Sequence, residues 1–140
     1  MLDQIRFIRT PILLIGFMLL NCNSFSQGGF DNPTRALYIF DLAKYIDYGP
    51  GFADSATFKF GVLVGEYELV EEMANFARTR NRIQGKPVSV AGFRNLESLT
   101  HIQVLYVNKN AGFNLDRIKA KIKGKQTMLI TEGYEFRESM

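Results

Sequence analysis

Three short apolar runs set the limits on what this chain can fold into. Thr57–Val64 (TFKFGVLV) begins in alternation and ends as an unbroken apolar stretch. Ile102–Val107 (IQVLYV) is apolar at nearly every position, and Thr127–Thr131 (TMLIT) is a shorter version of the same kind. Runs of this length and composition fit strands covered on both faces, as in a sheet buried between layers. A further short strand, Val88–Ala91, follows Pro87. Between the strands lie segments of helical period. Strand and helix signals alternate along the chain, so the expected fold class is α/β. The expectation is a three-layer domain with a mainly parallel sheet of about four strands, in chain order, with the strand at Ile102 in the middle. Helices cover both faces, joined to the strands by right-handed crossovers.

The first helical segment is the most apolar. In Arg35–Tyr48 (RALYIFDLAKYIDY), Ala36, Ile39, Phe40, Ala43 and Ile46 recur on one face. Tyr38, Leu42 and Tyr45 form a second stripe beside it. Only Arg35, Asp41, Lys44 and Asp47 are left for water, which predicts a core helix buried over most of its circumference. Asp31 or Asn32 is placed to cap it, Pro33 suits its first turn, and Gly49-Pro50-Gly51 ends it. A second helix over Tyr67–Arg80 has Leu69, Val70, Met73, Phe76 and Ala77 as its buried stripe. Its acidic residues lie early and Arg78 and Arg80 late, matching the helix dipole. Ile83–Pro87 reads as a turn, and Arg94–Leu99 as a loop or short helical turn. Leu115, Ile118 and Ile122 mark a third helix that Gly124 closes, and Glu132–Met140 reads as a polar tail.

The first 26 residues stand apart. Arg6 and Arg9 precede the apolar run Ile12–Leu20, and small residues Ser24 and Ser26 lead up to Gln27. That is the layout of a secretory signal peptide cleaved near Ser26-Gln27, leaving residues 27–140 as a single exported, periplasmic domain. An uncleaved anchor would need an apolar run of about 20 residues. Lipid attachment at Cys22 would ordinarily follow a small residue, and Asn21 stands there instead. Cys22 is the sole cysteine and leaves with the leader, so the exported domain depends on its core rather than on disulfides. A chain of this size can bury somewhat over ~60% of its unfolded surface, enough for an ordinary core. The net charge of the whole chain is +3, and loss of Arg6, Arg9 and Asp3 lowers it by one. Such a balance does not point to nucleic acid.

Residue chemistry points to no reaction. Val64-Gly65-Glu66-Tyr67-Glu68 has the strand–glycine–helix shape of a phosphate cradle, but it lacks the glycine and lysine spacings of known phosphate loops, and its glutamates would repel an anion. His101 is the single histidine. It has no companion ligands at metal spacing and no nucleophile elbow, so it reads as structural or pH-sensing. No catalytic, cofactor-binding or metal-binding residues are assigned. The basic run Arg117–Lys125 is either a solvated helix face or a docking patch. Tyr38, Tyr45 and Tyr48 are either core rings with their hydroxyls at the boundary or the lining of a pocket or docking surface. The candidate partner or ligand surface is Lys44, Tyr45, Tyr48 and His101.

Several segments, taken in order, resemble the YfiR-like family of small bacterial periplasmic proteins. They are Ala36–Ile46 followed by Phe58–Leu63, then Gly85–Val90, His101–Val107 and Met128–Glu132. The resemblance runs over about residues 34–138. Departures are Tyr48-Gly49 where the family often has Trp-Pro, and Thr100 where it often has cysteine, so a disulfide found in relatives is absent. The family's sheet usually continues into one more strand, and the chain stops at Arg137-Glu138-Ser139-Met140, where that strand would begin. A missing strand would expose a sheet edge and invite pairing or a homo-oligomer. The resemblance implies a non-enzymatic regulator without cofactors. Its partner would be the periplasmic part of a membrane-bound signalling protein, a diguanylate cyclase or a sensor kinase, so that the domain lowers cyclic di-GMP signalling and biofilm formation. The alternative is a sensor of an aromatic or nucleotide-like small ligand, with the tyrosines and His101 lining the pocket.

Overall fold

The computed structural model describes residues 31–63 and 67–135. The leader, Gly65 and its neighbours, and residues 136–140 lie outside the described residues. So do the expectations of a signal peptide, of a turn at Gly65, and of the last part of the polar tail.

The chain enters helix α1, Asn32–Lys44. The Asp31 carboxylate caps it by accepting a hydrogen bond from the Thr34 N–H at 3.0 Å, and Pro33 sits in the first turn, where no N–H is needed. A short 3₁₀ turn, Pro50–Phe52, leads to strand β1, Phe58–Leu63. Helix α2 spans Tyr67–Thr79, strand β2 Arg82–Ile83 and strand β3 Lys86–Phe93. Strand β4 is Val104–Asn108, helix α3 is Leu115–Ile122 and strand β5 is Met128–Glu132.

The sheet order is β2-β3-β1-β4-β5. β1 pairs parallel with both β3 and β4, and β4 pairs parallel with β5. Among the described strands only the two-residue β2 runs antiparallel, against the opening of β3. The expected α/β class, mainly parallel sheet and helices on both faces are therefore all present. Three details differ. The described residues form five strands rather than four, because Arg82–Pro87 closes as a hairpin where a turn is expected. β3 extends well beyond Val88–Ala91. The middle position belongs to β1, while the strand after Ile102 is its interior neighbour. Chain order is broken because the connection after β3 crosses back over β1 to reach β4.

Alternation along the strands divides the core in two. On one face Phe58, Phe60, Val62, Val104 and Tyr106 pack under α1 and α2, with Ala36, Ile39, Phe40, Ala43, Leu69 and Met73 descending onto them. Phe40 stacks on Phe60, ring centroids 4.6 Å apart. On the other face Leu63, Leu105 and Val107 meet Ile118 of α3 and the loop residues Leu96, Leu99 and Ile102. Gly61 faces this second layer, where a Cβ would stand 2.5 Å from Ile102 Cδ1, so only a hydrogen lets the loop lie directly on the sheet. The units β1-α2-β3 and β4-α3-β5 step away from each other, as two crossovers of one hand require when their helices lie on opposite faces.

Two features at the amino end of the sheet fix its register. Gln103 is buried, and its side-chain oxygen accepts from the Lys59 N–H at 2.7 Å, extending the β1/β4 ladder by one rung. Thr127 Oγ1 donates to the Ile102 carbonyl at 2.8 Å and seats the start of β5.

Candidate functional site

The sequence places α1 in the core over most of its circumference, and the structure corrects this. Ala36, Ile39, Phe40 and Ala43 are buried, but the second stripe faces solvent: Tyr38 is 54%, Leu42 46% and Tyr45 85% exposed. A helix lying flat on a sheet buries one stripe, and the neighbouring one stays at the surface unless another layer covers it. Arg35 is the converse case. It shares a face with Ile39, one turn on, and its guanidinium is largely shielded instead of facing water.

The exposed stripe has a charged rim. Asp41 accepts from Lys44 Nζ at 2.7 Å and pairs with Arg80 Nη1, at the end of α2, at 3.3 Å. The hydrogen bond from Lys44, assisted by both positive charges, holds the Asp41 carboxyl below its ordinary value. Gln84, in the β2–β3 turn, donates to the Lys44 carbonyl at 3.2 Å and the Ile46 carbonyl at 2.8 Å, so the end of the helix is tied in place. Contiguous large apolar side chains on a held surface are the ordinary mark of an interaction site.

Of the four expected surface residues, Lys44 and Tyr45 stand together and exposed at the end of α1. Tyr48 does not join them. Its ring is buried edge-on against Phe58, 5.1 Å between centroids, and its hydroxyl donates to the Ala43 carbonyl at 3.0 Å. Burial raises the pKa of this hydroxyl above the ordinary tyrosine value. It is a core ring that satisfies a helix-end carbonyl. His101 is exposed on a different element, the loop that enters β4.

A second feature lies at the opposite, carboxyl end of the strands and is absent from the sequence reading. β1 steps to one side and β4 to the other, so a crevice opens between their ends, the position where open α/β sheets bind ligands. It encloses about 120 Å³ and is lined by Val62, Leu63, Leu69, Tyr106, Asn108 and Asn110, among others. Beside it runs a partly buried polar chain. The Tyr106 hydroxyl donates to Glu132 at the end of β5. Glu132 pairs with Arg35 at 3.0 Å, and Arg35 donates to Asn32 Oδ1 at 3.1 Å. Burial first, and the hydrogen bond to Glu132 second, push the Tyr106 hydroxyl upward. Sequence carried one cue to this cluster: Tyr106, Glu132 and Arg35 each continue a buried face by parity or helical period. Nothing in it placed β4, β5 and α1 side by side.

The basic residues Lys119, Lys123 and Lys125 are exposed, and Arg117 makes a 3.7 Å surface contact with Glu97, an arrangement that a solvated helix face and a docking patch share. Among the described residues no group of three or more His, Cys, Asp or Glu side chains is placed to hold a metal, and no helix is long and apolar enough to cross a membrane.

Fold and surface together define a class: a small three-layer α/β domain, with an apolar stripe exposed on α1 and a crevice at the strand ends. The chain belongs to the YfiR/HmsC-like family, whose sequence model matches residues 32–140. The family is one of periplasmic regulatory proteins that act with a membrane signalling partner. No curated protein and no solved structure matches the chain significantly.

Proposed function

We propose that this domain is a non-enzymatic periplasmic regulator that acts on the periplasmic part of a membrane signalling protein of the diguanylate cyclase or sensor kinase type, and that it docks through the outer face of α1. The observation that carries this reading is the Tyr38–Leu42–Tyr45 stripe, three large side chains exposed on a helix whose other face is core. Tyrosine supplies apolar contact area with few rotors to freeze, and the rim of Asp41, Lys44 and Arg80 gives orientation. Regulation follows from differential affinity. A domain that binds one state of its partner better than the other shifts the partner by that difference in free energy.

The test is in-cell photo-crosslinking from position 45 or 42. It should capture a membrane protein with a cytoplasmic cyclase or kinase domain, and Tyr45→Ala with Leu42→Ala should lose that association while the domain stays folded. Capture with equal yield from Lys119, on the helix of the opposite layer, would remove the α1 face as the docking surface.

A second reading, the small-ligand sensor, is favoured by the carboxyl-end crevice rather than by the tyrosines and His101. At about 120 Å³ it is well below the ~300 Å³ of ordinary ligand pockets, so it fits a single ring or a small polar molecule and not a nucleotide. A ligand at 100 times its dissociation constant adds ~2.7 kcal/mol of stability. Thermal-shift measurements against small aromatic and polar metabolites should therefore find a hit that Asn108→Leu abolishes. If no compound of that size raises the melting temperature, the docking reading stands alone.

A further inference from the structure

The positive charge of this chain is concentrated in one stretch. Residues 94–125 hold seven Lys and Arg against two Asp and Glu, a balance of +5. The remaining residues hold ten against twelve, a balance of −2. Five of the seven cations belong to α3 and the few residues after it, on the face of the sheet away from α1 and α2. Elsewhere the fold sets opposite charges together: Asp41 pairs with Lys44 and Arg80, and Glu132 with Arg35. Along α3 the pairing nearly stops. Arg117 has its 3.7 Å contact with Glu97, and among the described residues Lys119, Lys121, Lys123 and Lys125 form no ion pair.

Helical period fixes where these cations stand. Ile118 is buried and Leu115 and Ile122 are half buried, so the inner line of α3 runs along them. Ala120 is then outermost, with Arg117 and Lys121 on one flank and Lys119 and Lys123 on the other. Arg117 and Lys121 border a shallow groove against Leu96 and Glu97. A methyl group at the crest lets long stems from both flanks bring their charged ends into one plane. Lys125, exposed, continues the row beyond the helix.

We propose that the outer face of α3 seats the domain on the surface of an anionic lipid bilayer, through diffuse attraction to phosphate headgroups. Composition separates this occupant from a protein. Protein interfaces favour aromatic residues and arginine and are poor in lysine. The α3 face carries four lysines, one arginine and no aromatic ring. Lysine is a compact, hydrated point charge that suits a plane of headgroups better than a bidentate site. With Ala120 at the crest there is no large apolar side chain to insert, so the contact is electrostatic. α1 lies across the sheet, and a domain seated this way turns the Tyr38–Leu42–Tyr45 stripe away from the bilayer, where it stays open. The proposal needs no partner protein, so it holds or fails independently of the docking reading.

Vesicle flotation tests it on protein purified from cells that express all 140 residues. The protein should float with vesicles of equal phosphatidylglycerol and phosphatidylcholine at low salt, and not with phosphatidylcholine alone. Binding should be lost at about 1 M salt, where charges act over only ~3 Å. Each neutralised lysine should weaken binding about five-fold, so Lys119→Gln with Lys123→Gln should cost more than about ten-fold with an unchanged circular dichroism spectrum. Arg78→Gln with Arg82→Gln removes the same charge from other elements and should change binding by less than about two-fold. Equal flotation with phosphatidylcholine alone, or none with either vesicle, overturns the proposal. Equal loss in the two double variants overturns it as well, because net charge and not the α3 face would then be responsible. Retention on immobilised polyglutamate without any binding to vesicles would give the face to an acidic protein instead.

Discussion

At the scale of single residues, the bend between α1 and β1 rests on a few positions with no substitute. Gly49 adopts φ 71° and ψ −179°, a region open in practice only to glycine, and a Cβ there would stand 2.6 Å from Gln126 Nε2. Gly49→Ala should cost about 1–3 kcal/mol, read as a lowered midpoint in chemical denaturation. Next to it, Tyr48 holds a proton that burial keeps in place. Its pKa is raised in the folded state, so above about pH 10 the unfolded chain loses a proton that the folded chain retains. Stability is full below that pH and falls as pH rises beyond it, and Tyr106 adds to the same slope. Denaturation midpoints measured across the alkaline range should show this fall, and Tyr48→Phe should flatten it. Tyr48→Phe should also lose about 1–3 kcal/mol at neutral pH, because the buried Ala43 carbonyl is left without its donor. The sequence reading runs the helix through Tyr48 to the Gly-Pro break, whereas α1 ends at Lys44. It did not show that the ring turns back under α1, because that depends on Phe52 and Phe58 closing around it.

At the scale of elements, α1 shows most clearly how far periodicity reaches. Its two apolar stripes are equally visible in the sequence, yet one is core and the other is surface. Phe40, sealed between Phe60 and Phe76, and Leu42, half exposed two residues later, should respond in opposite ways to truncation. Phe40→Ala should cost about 3–5 kcal/mol, enough to unfold a marginal domain. Leu42→Ala should stay within about 0.5 kcal/mol in the same denaturation assay while impairing partner association. Equal losses at the two positions would mean that the outer stripe is packed in the folded domain. The hairpin of β2 and β3 was hidden for a different reason. Gln84 occupies a left-handed conformation, φ 48°, ahead of Gly85 at φ 80°, and a two-residue strand carries too little pattern to stand out from a turn.

At the scale of the whole molecule, β1 is flanked by parallel strands on both sides and covered on both faces, and β4 is nearly as enclosed. Amides of Phe58–Leu63 and Val104–Val107 should therefore exchange most slowly, near the rate set by global unfolding, and those of Arg82–Ile83 among the fastest. Hydrogen exchange followed residue by residue checks this ranking, and protection at Arg82–Ile83 equal to that of β1 would contradict the topology. What the amino-acid sequence determined by itself was the three helices, four of the five described strands, the α/β class, the mainly parallel sheet and the family kinship. The elements and their class follow from local periods, caps and breakers, each readable within a window of some ten residues, and the kinship from the resemblance of successive segments to the family. What only the tertiary structure decided was the central place of β1, the wet stripe on α1, the burial of Tyr48 and the meeting of Arg35, Glu132 and Tyr106 beside a crevice. Each depends on which way a crossover steps and which surfaces meet, and that choice is made by free energy summed over contacts far apart in the chain.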